Sequence, residues 1–243
     1  MNNRITRSSP LNKKVLGWLP YAIGAVLVVQ FLALAVWQID RGLEKRATQQ
    51  AFDARSGFAA WSDGMRVRSY QKLEVTGDFD SDHQILLENV IISNRYGYYV
   101  LTPLLIADDL PILIINRGWI ERAGQAFDAS RIALETSRLT VRGRVGSLPK
   151  AGYRMSDAFT APLSWPLGAV YPTLDELSLA LGRDVLPYIL LLDPDDSHGF
   201  FRHWVPEEMG PGKHYAYALQ WFAMGIVLAA LLVWNYRKRG LES

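Results

Sequence analysis

The 243-residue chain is predicted to be a membrane protein, with two transmembrane helices flanking a β-rich extracytoplasmic domain. That domain is expected to be an antiparallel barrel or sandwich of α+β type. Three observations carry the prediction. Apolar runs long enough to span a bilayer stand near both ends, at 15–39 and 214–236. Between them, apolar and polar residues alternate with period two in short segments. Those segments are bounded by turn formers, as strands are.

Residues 1–14 contain Arg4, Arg7, Lys13 and Lys14 and no acid. The run at 15–39 is interrupted by the polar residues Gln30 and Gln38. A secretory signal has a shorter apolar core followed by a small-residue cleavage site. This run instead leads into Trp37-Gln38-Ile39-Asp40-Arg41, so it is expected to be an uncleaved span. About 20 residues suffice to cross the hydrocarbon core. Residues 42–52 are strong helix formers and continue the helix into water.

At the other end, Tyr215 to Tyr236 contains no ionisable side chain except tyrosine. His214 opens this run, and Arg237, Lys238 and Arg239 close it. Basic residues outside both spans favour cytoplasmic termini. The expected divisions are a cytoplasmic 1–14, spans at 15–39 and 214–236, an outer domain at 40–213 and a cytoplasmic tail at 237–243. The short leader favours a bacterial inner (plasma) membrane, with the central domain periplasmic.

In the middle, 72–79 places Leu73, Val75 and Phe79 on one face and Lys72, Glu74, Thr76 and Asp78 on the other. Residues 138–145 repeat the pattern, and both segments carry a Val-x-Gly core (Val75-Thr76-Gly77, Val141-Arg142-Gly143). The glycines read as bulges or points of close strand approach. Further strands are expected at 84–88, 97–106, 111–119 and 185–192. Thr173-Leu174-Asp175-Glu176 is a capping-box helix start, and Gly182 is its stop. Residues 122–137 and 151–168 are expected to be loops.

Composition excludes several chemistries. With no cysteine, disulfides, thiolate metal sites, iron–sulfur clusters and covalent c-type haem attachment are impossible. A net charge of +2 with no basic, aromatic-interleaved run gives no reason to expect nucleic acid as a partner. No Gly-x-Ser-x-Gly elbow or His-Glu-x-x-His helix is present, so the chain is not expected to be an enzyme. The spacing of His198 and His203 matches no usual metal-ligand pattern, and a solvated loop is expected there.

The residues that attract attention lie where one span ends and the other begins. In an up-and-down pair, Trp37, Gln38 and Arg41 fall near the level of His214, Tyr217 and Trp221. Helical spacing puts 214, 217, 218 and 221 towards one face. Three readings are open. The aromatics can form an interfacial belt, and the histidine can be solvated or can cap backbone. Alternatively, neutral His214 can ligate a haem iron while Arg41 meets a propionate.

Four stretches, in order, resemble the surfeit locus protein 1 family of cytochrome c oxidase assembly factors. Leu34-Ala35-Val36-Trp37-Gln38-Ile39-Asp40-Arg41 resembles the family's exit from its first span, with Ala35 where glycine is usual. Gly97-Tyr98-Tyr99-Val100-Leu101-Thr102-Pro103-Leu104 resembles its central Gly-Tyr strand. Asn116-Arg117-Gly118-Trp119-Ile120 resembles its Asn-Arg-Gly-Trp signature, with Glu121 in place of a common proline. His214-Tyr215-Ala216-Tyr217-Ala218-Leu219-Gln220-Trp221-Phe222 resembles the opening of its second span.

The resemblance implies a non-enzymatic assembly factor for respiratory complex IV that binds haem a or delivers it to oxidase subunit I. His214 would be the iron ligand, with Tyr217, Trp221, Trp37, Gln38 and Arg41 around the cofactor. The implied partners are subunit I, other assembly factors or haem a synthase, and the lipid bilayer. A cofactor-free scaffold for a nascent oxidase subunit is the alternative. Arg117, Gly118 and Trp119 are expected either to shape the end of a strand or to dock the oxidase.

Overall fold

Residue by residue, the computed structural model describes 10–54, 56–122, 124, 127–134, 138–150, 157–161, 164–206 and 210–241. The leader with Arg4 and Arg7 lies outside the described residues, as do parts of the two expected loops. The chain divides into two units, one built from its two long helices and one from residues 51–207.

The first unit pairs α1 (Pro10–Asp53) with α3 (Pro211–Leu241). The expected span at 15–39 and its extension at 42–52 are thus one uninterrupted helix of 44 residues, with Pro20 inside it. Both helices contain stretches long and apolar enough to cross a membrane, Gly17–Asp53 and Pro211–Arg239. Only 11% of each apolar window is buried in the protein. A core helix of a soluble domain would hide that surface, whereas here its natural cover is lipid.

The helices run antiparallel in a steady register. Tyr21 donates its hydroxyl to Asn235 at 2.6 Å, Gly24 abuts Leu232, Gly225 faces Phe31 and Leu32, and Gly42 abuts Tyr215. Positions 24, 31, 35, 38 and 42 of α1, and 214, 218, 221, 225 and 232 of α3, are buried or half-buried. That alternation of three and four is the seam of a helix pair. Small residues along it (Gly24, Ala35, Gly42, Ala218, Gly225) let the backbones approach where no hydrophobic effect draws helices together.

The second unit holds β1 (Ala59–Ala60), β2 (Lys72–Phe79), β3 (Ile85–Ile92), β4 (Arg95–Leu105), β5 (Ile112–Glu121), β6 (Arg138–Gly146), β7 (Leu167–Ala169) and β8 (Val185–Leu192). The helix α2 (Leu174–Leu181) lies between the last two strands. All six expected strands form, within a residue or a few at their ends, and two very short strands, β1 and β7, join them. Strand order is β1-β2-β6-β8-β5-β4-β3-β7, and β2 also pairs with β4 through Asp78↔Leu105 and Phe79↔Leu104. That extra pairing closes β2, β6, β8, β5 and β4 into a barrel, so these strands present no long free edge. The sheet is mixed rather than antiparallel throughout, because β1–β2, β3–β7 and β5–β8 pair parallel. The β5–β8 pair is reached by a long crossover that carries β6, β7 and α2, the kind of connection parallel pairing requires.

Core packing follows from side-chain alternation. Leu73, Val75, Phe79, Leu113, Ile115, Val141, Val145, Leu190 and Leu192 fill one cluster. Ile85, Leu101, Ile112, Ile114, Ile189 and Leu177 of α2 form another. β5 contributes to both, and all of 112–119 is buried, so its sequence shows no alternation. The Val-x-Gly glycines are points of close approach. A Cβ at Gly77 would sit 2.6 Å from the Leu105 carbonyl, and one at Gly143 would sit 2.6 Å from that of Leu191. The capping box of α2 forms as expected, with Thr173 and Glu176 bonded reciprocally and Gly182 left-handed at φ 65°.

Candidate functional site

In the helix unit, His214 and Gln38 meet across the seam. The imidazole Nδ1 lies 2.8 Å from Gln38 Oε1. In its neutral Nδ1–H tautomer the ring donates to this amide oxygen and leaves Nε2 with the lone pair. Nε2 is buried and has no hydrogen-bond partner among the described residues. A neutral imidazole with one nitrogen tied to an acceptor and the other free is the form that binds a metal. The chemistry of that nitrogen would suit a haem iron.

The other residues expected at this site are distributed around it. Trp221 stacks on Phe31 with ring centroids 5.7 Å apart, further along the seam. Arg41 pairs with Glu44 on its own helix at 2.8 Å, while its Nε is buried without a partner among the described residues. Trp37 and Tyr217 are turned out of the seam, 51% and 48% exposed. The expected face is corrected there, and the reason is local. Gly42 has no side chain, and a Cβ on it would come 2.5 Å from Tyr215 Cε1. The gap draws the ring of Tyr215 in and rotates Tyr217 out. The exposure of Trp37 and Tyr217 is what an interfacial aromatic belt would require.

In the β unit, the Asn-Arg-Gly-Trp stretch is interior. Arg117 is 3% exposed, Trp119 8% and Asn116 2%. Arg117 Nη1 donates to Gln84 Oε1 at 3.0 Å and to the Ile132 carbonyl at 2.9 Å, and Nε donates to the His198 carbonyl at 2.7 Å. Its guanidinium lies over Phe200, 4.7 Å from the ring centroid. Thr102 donates to the same Gln84 oxygen at 2.9 Å. Burial, then the positive charge of Arg202, pushes Arg117 down to about 10, with Asp196 acting the other way.

Gly118 sits at φ 109°, where the β4–β5 register shifts between Tyr99 and Leu101. This is a bulge, and it aims Trp119 at Phe201, whose backbone pairs with it. Burial makes these residues organisers of the barrel end. Gln84 and Thr102 were not singled out from sequence. The signal that points to them is Arg117 itself, a cation inside an otherwise apolar run that demands buried acceptors. His83 and His198 are each held by an aspartate, Asp80 and Asp196, at 2.8 Å.

Comparison with known proteins bears on all four signature stretches. A family model described as the SURF1 family matches residues 25–226. A SURF1-like protein of Monosiga brevicollis is 25% identical over 244 residues, covering 93% of this chain and 91% of its own. A SURF1-like protein of Rickettsia conorii is 24% identical over 225 residues, covering 86% of this chain and 87% of its own.

Proposed function

The chain belongs to the SURF1 family, and from that premise we propose that it is an assembly factor for a haem–copper cytochrome c oxidase. On this reading it holds haem a at the outer face of the bacterial inner membrane and passes it to subunit I. Both termini are cytoplasmic, the β domain is periplasmic, and no catalytic step is involved. The observation that carries the reading is the His214 Nε2 atom, buried and unpartnered beside a hydrogen-bonded Nδ1.

Each residue has a limited task. His214 offers one nitrogen ligand. Gln38 holds the ring. Arg41, paired at one corner with Glu44, keeps further N–H donors for a carboxylate such as a propionate. Trp221 and Phe31 supply an apolar wall along the seam. The cofactor supplies the redox-active iron once it resides in the oxidase. A single protein ligand suits a site that must release what it holds.

The reading is tested in cells lacking the protein. Restored expression of the parent chain should return the haem a absorbance of assembled oxidase to the membranes, and His214→Ala should return much less. Equal restoration by both would remove His214 from the account and leave a cofactor-free scaffold.

A further inference from the structure

We infer that Gln38 is the positioning residue for His214, fixing the Nδ1–H tautomer so that Nε2 presents its lone pair to an incoming metal centre. The inference deepens the proposed function and rests on His214 as a ligand. Gln38 lies on the packed seam of α1, between Ala35 and Gly42 in the three–four rhythm, and is half-buried there. Its side chain therefore reaches across to α3 rather than into lipid, and its Oε1 stands 2.8 Å from Nδ1. A free neutral histidine in water favours the opposite tautomer, with the proton on Nε2, which cannot ligate through that atom. One hydrogen bond from the other helix reverses the preference.

The chemical identity of the acceptor matters as well. A carboxylate at this place would draw the Nδ1 proton strongly and raise the basicity of Nε2. A neutral amide orients the ring and chooses the tautomer without that increase. Gln38 thus gives His214 direction with moderate ligand strength, as a site built for transfer needs. Because Gln38 and His214 belong to different helices, the ligand is set only when the two helices are paired.

The test uses the full-length protein in detergent, labelled with 15N-histidine, at a pH above the imidazole titration. His214→Ala identifies the resonances of interest among the four histidines. The parent should show His214 protonated on Nδ1. Gln38→Leu should move the proton largely to Nε2, and Gln38→Glu should keep it on Nδ1 while circular dichroism reports an unchanged fold. An Nε2–H parent, or a Gln38→Leu variant that keeps Nδ1–H, would overturn the assignment.

Haemin titration of the same three proteins gives a second readout. Losing an outer-shell partner typically weakens metal-centre affinity by about 10- to 100-fold, which is the loss expected for Gln38→Leu. The glutamate variant should bind at least as tightly as the parent and hold the iron at a more negative potential. Equal affinity of parent and leucine variant would overturn the positioning role. A parent that takes up no haemin while its tautomer still follows residue 38 would sink the haem-holding function and sustain the role of Gln38 towards His214.

Discussion

Arg117 Nη1 and Gln84 Oε1 meet at 3.0 Å inside the β domain, and both side chains are at most 3% exposed. The same guanidinium also satisfies the carbonyls of Ile132 and His198. No carboxylate accepts a hydrogen bond from it among the described residues, so the cation is stabilised by dipoles, the Phe200 ring and the more distant charge of Asp196. Removing it strands the His198 carbonyl and takes one of two donors from Gln84 Oε1, which keeps Thr102, and from the Ile132 carbonyl, which keeps Gln84 Nε2. Such an orphan costs roughly 1–3 kcal/mol.

Arg117→Leu is therefore expected to destabilise the protein by roughly 1–3 kcal/mol, read as a lowered thermal midpoint by tryptophan fluorescence. Arg117→Lys should recover only part of this, because an ammonium is a point donor that cannot reproduce the planar fork. A leucine variant as stable as the parent would show the network to be dispensable.

The pH dependence has a definite sign. The folded-state value of Arg117, about 10, lies below the ordinary arginine range, so the folded state pays to keep the group charged. That penalty is present in full at lower pH and is relieved only as pH rises through about 10. The difference in stability between parent and Arg117→Leu should therefore be flat between about pH 6 and 9. It should widen in the parent's favour only in more alkaline solution. A difference that changes across the neutral range would assign the effect to another group.

Thr173 caps α2 in both directions, accepting from the Glu176 amide at 3.2 Å while its own amide donates to Glu176 Oε2 at 2.8 Å. Thr173→Ala should cost about 1 kcal/mol, and Thr173→Ser much less. Chemical denaturation of the three proteins side by side measures it. A loss for serine equal to that for alanine would mean that the methyl group, and not the hydroxyl, is the stabilising part.

The register of the helix pair can be tested by cross-linking, since the chain has no cysteine of its own. A Cβ at Gly225 would lie 3.6 Å from Phe31 Cβ, within the Cβ–Cβ range of a disulfide. Phe31→Cys combined with Gly225→Cys should form an internal disulfide on mild oxidation in membranes. Val36→Cys combined with Leu219→Cys, at positions 67% and 69% exposed, should not. The reverse pattern would contradict the seam.

Much of this architecture was legible because local signals were strong. The period-two runs, the capping box and the long apolar helices depend on neighbours in sequence, and they appear where periodicity put them. Barrel closure was not legible, because the β2–β4 pairing rests on Asp78↔Leu105 and Phe79↔Leu104, an encounter between residues distant in sequence. The parallel β5–β8 pair was hidden likewise, since a doubly buried run such as 112–119 has no alternation to betray its neighbours. At the candidate site, helical spacing grouped 214, 218 and 221 correctly. It could not tell Tyr215 from Tyr217, because both flank the seam and only Gly42 on the other helix decides between them.

The measurement that tests the central claim most directly is an optical spectrum of the detergent-purified protein, co-expressed with haem a synthesis, beside His214→Ala. The account predicts haem a absorbance in the parent that is lost or strongly shifted in the variant. Absorbance of equal intensity and position in both proteins, or none in either, would contradict it.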